Sequence, residues 1–158
     1  MAQAGVWRAR FKMMNELYNK RILELTATIS RIGRLQDADA EAVAVSKLCG
    51  SKISVTLKVQ NGVVTDFAHE VEACALGQAS AAVMAREIIG ASADELREVG
   101  AQMRAMLKQN ADSPTDSERG GRWGALEVLS PVRDFKNRQA SVLLTFDAVE
   151  DCLNQLGV

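Results

Sequence analysis

Apolar and polar positions alternate from residue 53 to residue 59, with Ile53, Val55, Leu57 and Val59 sharing one side. The alternation resumes after Asn61-Gly62 through Val63, Phe67 and Val71. Period-two alternation of β-branched and aromatic residues around an Asn-Gly pair predicts a β-hairpin. A two-residue turn would pair Gln60 with Val63 and put the two apolar sets on opposite faces. A three-residue loop, Gln60-Asn61-Gly62, pairs Val59 with Val63 and keeps one buried face, with Gly62 supplying a positive φ. In that register Leu57 faces Thr65, Val55 faces Phe67, Ile53 faces His69 and Ser51 faces Val71. Cys49 then falls beside Ala73, next to Cys74, although 25 positions separate the two cysteines.

Around the hairpin the period changes to that of helices. Leu17, Ile22, Leu25 and Ile29 predict a first helix over residues 15–28. Residues 30–48 read as an Asp/Ala-rich connector without a clear period. The Ala-rich stretch after Cys74 predicts a buried helix ending at Gly90. Ser92, with Glu95 three residues on, predicts the capped start of another, whose stripe is Leu96, Val99, Met103, Met106 and Leu107. Residues 109–121, with Pro114 and two glycines, read as a surface loop. Trp123, Leu126, Val128, Leu129 and Val132 pack back onto the core, and a long terminal helix begins near Ser141. Helix, hairpin, then several helices predicts an α+β fold, a small hairpin-based antiparallel sheet with helices on one face. Residues 1–13, basic and without acidic residues, read as a flexible tail or a weak leader, and residues 14–158 as a single domain.

Composition narrows the functional classes. The chain has 158 residues, enough for one domain with a real core. Its 19 basic and 20 acidic residues balance, so bulk charge points to neither nucleic acid nor an anionic membrane. No apolar run approaches the ~20 residues that span a bilayer, and no secretory signal is visible, so a cytoplasmic location is expected. One histidine makes a Ser–His–Asp hydrolase a poor fit. The glycine-rich ERGGRWG lacks the Lys-Ser/Thr of a P-loop. Three cysteines, an odd number, argue against a disulfide framework.

Chemistry therefore centres on Cys49 and Cys74. A helix start offers unpaired N–H groups and a positive dipole end, both of which favour a thiolate as nucleophile or metal ligand. Two thiolates at the open end of one hairpin make a partial soft-metal site, since zinc and iron–sulfur clusters usually take four ligands. The same spacing also suits two buried cysteines acting as small hydrophobes. His69, on the inward-facing set, reads as a buried, hydrogen-bonded histidine.

Three ordered blocks resemble the iron–sulfur cluster assembly scaffolds of the IscU/SufU class, also found as the N-terminal domain of NifU. Cys49-Gly50-Ser51 is similar to the family's Cys-Gly-Asp. Residues 73–81, ACALGQASA, are similar to its Gly-Cys-Ala-Ile-Ser-x-Ala-Ser block. Residues 132–148 are similar to its third block, which carries Arg-x-Lys-Cys-Ala-x-Leu-x-Trp. The opening NELYNKRILEL also resembles the family's start, and the likeness spans residues 15–155. The long loop before the third block is closer to SufU-type members.

The resemblance implies an IscU/SufU-like fold and a non-enzymatic scaffold that binds iron, zinc or a labile iron–sulfur cluster, or accepts sulfur, through Cys49 and Cys74. It implies a cysteine desulfurase as partner, with a chaperone, an iron–sulfur acceptor protein and a homodimer as further associations. The alternative is a degenerate paralogue that binds partners without metal. Departures from the pattern matter here. The family's third cysteine falls at Ser141, its aspartate at Ser51, and the Lys or His before the third cysteine at Ala140; Arg138 matches the family's arginine. Ser51 and Ser141 are thus degenerate ligand positions and Arg138 a supporting residue. Cys152 lies about three turns, ~16 Å, beyond position 141 on the terminal helix and within its apolar stripe, so it reads as core. Leu129-Ser130-Pro131-Val132 is similar to the Pro-Val segment that such scaffolds present to a chaperone, and turn chemistry before a helix explains the proline equally well.

Overall fold

The computed structural model describes residues 19–114 and 122–158. The 1–13 tail, residues 15–18 of the first expected helix and residues 115–121 of the expected loop lie outside the described residues. Three antiparallel strands, β1 (Ala40–Val45), β2 (Lys52–Gln60) and β3 (Val63–Glu72), form one sheet in the order β1-β2-β3. Among the described residues, four α-helices, α1 (Lys20–Ala27), α2 (Ala75–Glu87), α3 (Ala93–Lys108) and α4 (Lys136–Leu156), and a 3-10 segment (Gly124–Asp134) pack with this sheet in an α+β architecture.

Strand β1 lies inside the stretch read as a connector. Its inward positions are Ala40 and Ala42, both buried, while Val43 and Val45 stand outward at 48% and 56% exposure. Small residues inside and branched ones outside invert the usual pattern, which is why alternation did not reveal the strand. The alanines are small because α4 lies across this part of the sheet.

The β2–β3 register corrects the expected one. Gln60 pairs with Val63 and Val59 with Val64, so the turn has two residues, and Asn61 and Gly62 take φ of 54° and 74°. Positive φ at both central positions is the type I′ geometry, whose twist matches the flanking strands. Asn tolerates this conformation better than other non-glycine residues, which a three-residue loop does not exploit. The parity problem is resolved further down. Pairing jumps to Lys58 with Asp66, leaving Thr65 as a bulge whose hydroxyl donates to the Lys58 carbonyl at 3.3 Å. Below it Leu57 faces Phe67, Val55 faces His69 and Ile53 faces Val71. Odd still meets odd, two residues away from the expected partners.

The inner face of the sheet, with Ile53, Val55, Leu57 and Phe67 all at 1% exposure or less, packs against the helices. Helix α2 sits between α1 and α4 and is buried along nearly every turn, which its Ala-rich sequence permits. Ser92 caps α3, accepting from the Glu95 amide at 3.1 Å. Helix α4 starts at Lys136, five residues before the expected point, so Ser141 lies inside a formed helix. The 3-10 segment contains Pro131 and buries Leu129 and Val132 completely, so these two side chains belong to the core.

Candidate functional site

The Cys49 side chain is carried by the short connection between β1 and β2. Two backbone bonds close it: the Ser46 amide donates to the Ser51 carbonyl at 2.8 Å, and the Gly50 amide to the Ser46 carbonyl at 2.9 Å. Gly50 has φ +69°, a conformation that an L side chain resists, so glycine after the cysteine is a backbone requirement. The loop leaves Cys49 exposed. Cys74 arrives from the other arm as the N-cap of α2, with extended backbone and no side-chain capping bond, and is half-buried.

Helix α4 supplies the third arm. Ser80 on α2 donates to the Val142 carbonyl at 2.8 Å in the buried interface, fixing how far α4 slides along α2. Gly77 sets how closely they approach. A β-carbon there would lie 2.7 Å from Ser141 Oγ, 2.8 Å from Ala73 Cβ and 3.2 Å from the Ser141 carbonyl oxygen. With no β-carbon in the way, Ser141 reaches the cysteines.

Four predicted site positions therefore meet in a chain of contacts. Cys49 Sγ lies 3.1 Å from Ser51 Oγ, Ser51 Oγ lies 3.3 Å from Ser141 Oγ, and Ser141 Oγ lies 3.3 Å from Cys74 Sγ. Ser51 and Ser141 are 3% and 1% exposed. Arg138 sits in the first turn of α4, half-buried, one turn before Ser141. Cys152 does not join them. It is fully buried, with Sγ 3.9 Å from the Val55 carbonyl, and burial followed by the nearby Asp151 charge pushes its thiol up to about 12. His69 is also apart: fully buried, 5.0 Å from the Phe67 ring, its Nε2–H donating to the Ser30 carbonyl at 2.8 Å.

Partial burial pushes the Cys49 thiol up, but hydrogen bonding from Ser46, Ser51 and Ser141 outweighs it and brings the group down to about 7. Ser46 and Gly77 are the site features the sequence reading passed over. Ser46 is 5% exposed, and its hydroxyl is one of the groups that lower the Cys49 thiol. Its only signal in sequence is the Ser-x-x-Cys-Gly spacing, which becomes informative once the loop is known to close on itself.

The arrangement offers two sulfur donors and two hydroxyls. Among the described residues no group of three or more His, Cys, Asp or Glu side chains gathers to hold a metal ion. Thiolates bind soft metals well and neutral hydroxyls poorly, so of these four groups the two sulfurs are the ones that could ligate a soft metal.

Known proteins share this fold. The N-terminal NifU-like structure from Brucella abortus is 55% identical, covers 92% of this chain and 97% of its own, and superimposes with a TM-score of 0.87. The structure of a SUF-system scaffold protein from Fervidobacterium islandicum, at 21% identity and TM-score 0.76, shares the fold over 88% of this chain and 98% of its own. The iron–sulfur cluster assembly scaffold protein IscU of Thermotoga maritima is 27% identical over 148 residues, 93% of this chain and 97% of that protein. The family model of the NifU-like N-terminal domain matches residues 17–142, and the chain belongs to that family.

Proposed function

We propose that this protein is a scaffold in iron–sulfur cluster assembly, holding iron and sulfide as cargo on Cys49 and Cys74. The observation that carries the reading is the meeting of Cys49, Ser51, Ser141 and Cys74 at contacts of 3.1–3.3 Å, from three separate parts of the chain. A structural pair of cysteines needs no such convergence at an exposed rim. The likeness to the iron–sulfur cluster assembly scaffold protein of Thermotoga maritima supports the same role. Two thiolates backed by hydroxyls hold a soft cargo loosely, which suits a protein that must hand it on. Cys49, exposed at the tip of its loop, is the sulfur that an incoming donor meets first, and a cysteine desulfurase is the class of partner that brings persulfide sulfur, which a two-electron reductant such as a thiol pair converts to sulfide.

The test is iron and acid-labile sulfide content after anaerobic reconstitution. Wild type should bind both in fixed ratio to protein, and the Cys49→Ala, Cys74→Ala double variant should bind neither while keeping its circular dichroism. An empty wild type, or a double variant that fills equally, overturns the reading.

A further inference from the structure

We propose that Cys49 and Cys74 close into a reversible intrachain disulfide that locks the empty site, so that the redox state of the surroundings decides when this chain can load. The lock rests on the scaffold reading above; the bond itself does not. Carried two residues past its last pair, Lys52 with Glu72, the β2–β3 register sets Gly50 against Cys74, and Cys49 is the next residue. Opposed Cα atoms of an antiparallel pair lie about 4.5–5.5 Å apart, and a disulfide bridges about 4.4–6.8 Å. The hydroxyls of Ser51 and Ser141 join the two sulfurs in one chain of contacts.

Both halves of the pair have room to meet. Residues 47–50 are all exposed, and the bonds from Ser46 to Ser51 and Gly50 tie their loop only at its base. Among the described residues nothing lies within 4 Å of where a Gly50 β-carbon would stand. Cys74 makes no side-chain capping bond, so turning its sulfur from Ser141 toward Cys49 costs α2 no cap.

The missing third thiol makes the product unique. Three neighbouring cysteines could pair in more than one way. Here the third position is a hydroxyl, which takes no part in thiol exchange, and Cys152 is fully buried in the core. The oxidant is a small disulfide such as oxidised glutathione. Exposed Cys49 attacks it and expels one half as a thiolate; Cys74 then attacks the Cys49 sulfur and expels the other half. Two protein thiols become one disulfide, two electrons pass to the oxidant, and two small thiols carry away the two protons. Soft metals bind thiolates, and a disulfide offers none. Loaded cargo occupies both sulfurs, so oxidation acts on the empty protein.

Peptide mass mapping tests the bond, on metal-free full-length chain held anaerobically with mixtures of reduced and oxidised glutathione and then alkylated. Wild type should give one Cys49–Cys74 disulfide within a single chain, with Cys152 still a thiol. Cys74→Ser should stop at a glutathione adduct on Cys49. A wild type that also stops at that adduct, or that links two chains instead, overturns the bond. Zinc alone reads the lock, because sulfide would itself reduce the disulfide. The oxidised chain should bind zinc more weakly than the reduced one by on the order of ten-fold or more, with affinity restored by a phosphine reductant. Equal zinc affinity in the two forms overturns the lock. Reduced wild type that takes up neither iron nor sulfide overturns the scaffold reading and the lock with it, while the peptide map still decides the bond.

Discussion

Ser141 holds its hydroxyl 3.3 Å from the sulfur of Cys74, although 67 positions separate the two residues. Where the family pattern has a third cysteine, this chain places a hydroxyl at the same meeting point. Replacing Ser141 by Cys should therefore create a three-thiolate site without rebuilding anything, because Gly77 already leaves space beside position 141. Exchanging a neutral oxygen for a thiolate should tighten zinc by on the order of 10-fold or more. Competition with a chromogenic chelator reads this directly. Equal zinc affinity in both proteins would show that residue 141 does not reach the bound metal.

Gly77 is the counterpart of that geometry. Ala at this position puts a methyl group 2.7 Å from Ser141 Oγ and 2.8 Å from Ala73 Cβ, and neither neighbour is the end of a long flexible chain. Overpacking of this kind costs about 1–3 kcal/mol. Gly77→Ala should lower the denaturant midpoint accordingly and weaken metal binding, since α4 must back away from α2. Ser141→Gly should recover part of the loss in the double variant by removing one of the two clashes. Simple additivity in that cycle would mean that the contact does not set the helix spacing.

Much of this was legible in sequence because the signals were local. The hairpin, the helix after Cys74 and the cap at Ser92 each announce themselves within a few residues. The meeting of Cys49 with Cys74 was also reachable, although through a register two residues off. That register failed because the bulge at Thr65 leaves no mark in composition, and Asn61 made a shorter turn possible. Strand β1 escaped because its buried residues are alanines and its exposed ones valines. Such a pattern makes sense only when the helix above the strand is known. The expected closeness of Ser141 to the cysteines came from family resemblance. Its physical basis, the missing β-carbon at Gly77, is a tertiary fact that no local rule contains.

The two extreme cysteines should separate cleanly in reactivity. Only the thiolate alkylates, and Cys49 is exposed with its thiol brought down to about 7, while Cys152 is buried with its thiol pushed up to about 12. In metal-free protein the iodoacetamide rate at Cys49, followed by mass spectrometry, should rise through a midpoint near about 7. Cys152 should stay unmodified until the protein unfolds. Ser46→Ala removes one of the hydroxyls that lower Cys49 and should move its midpoint upward. An unchanged midpoint would remove Ser46 from the site.

His69 gives the fold a dependence on acidity. Burial is the larger influence and lowers its affinity for a proton below the ordinary value of 6.5, and the bond to the Ser30 carbonyl only partly offsets this. A carbonyl only accepts, so Nε2 carries the proton in the neutral ring, and among the described residues the buried Nδ1 has no acceptor for the hydrogen bond that a second proton would donate. In the unfolded chain the same ring protonates at its ordinary value. The unfolded state therefore binds more protons as pH falls below about 6.5, and stability falls with it until the folded protein's own, lower value is passed. Above the unfolded value the full stability is present. What is lost in acid includes the bridge that His69 makes to the chain at Ile32, since the His69 amide donates to the Arg31 carbonyl and the Gly33 amide to the His69 carbonyl. His69→Gln keeps a side-chain donor for Ser30 but cannot titrate. Between about pH 7 and pH 5, where histidine changes charge, the melting temperature of wild type should fall more steeply than that of His69→Gln. Parallel slopes would mean that the ring charges in place, and that the pocket around Nδ1 admits water to meet the second proton.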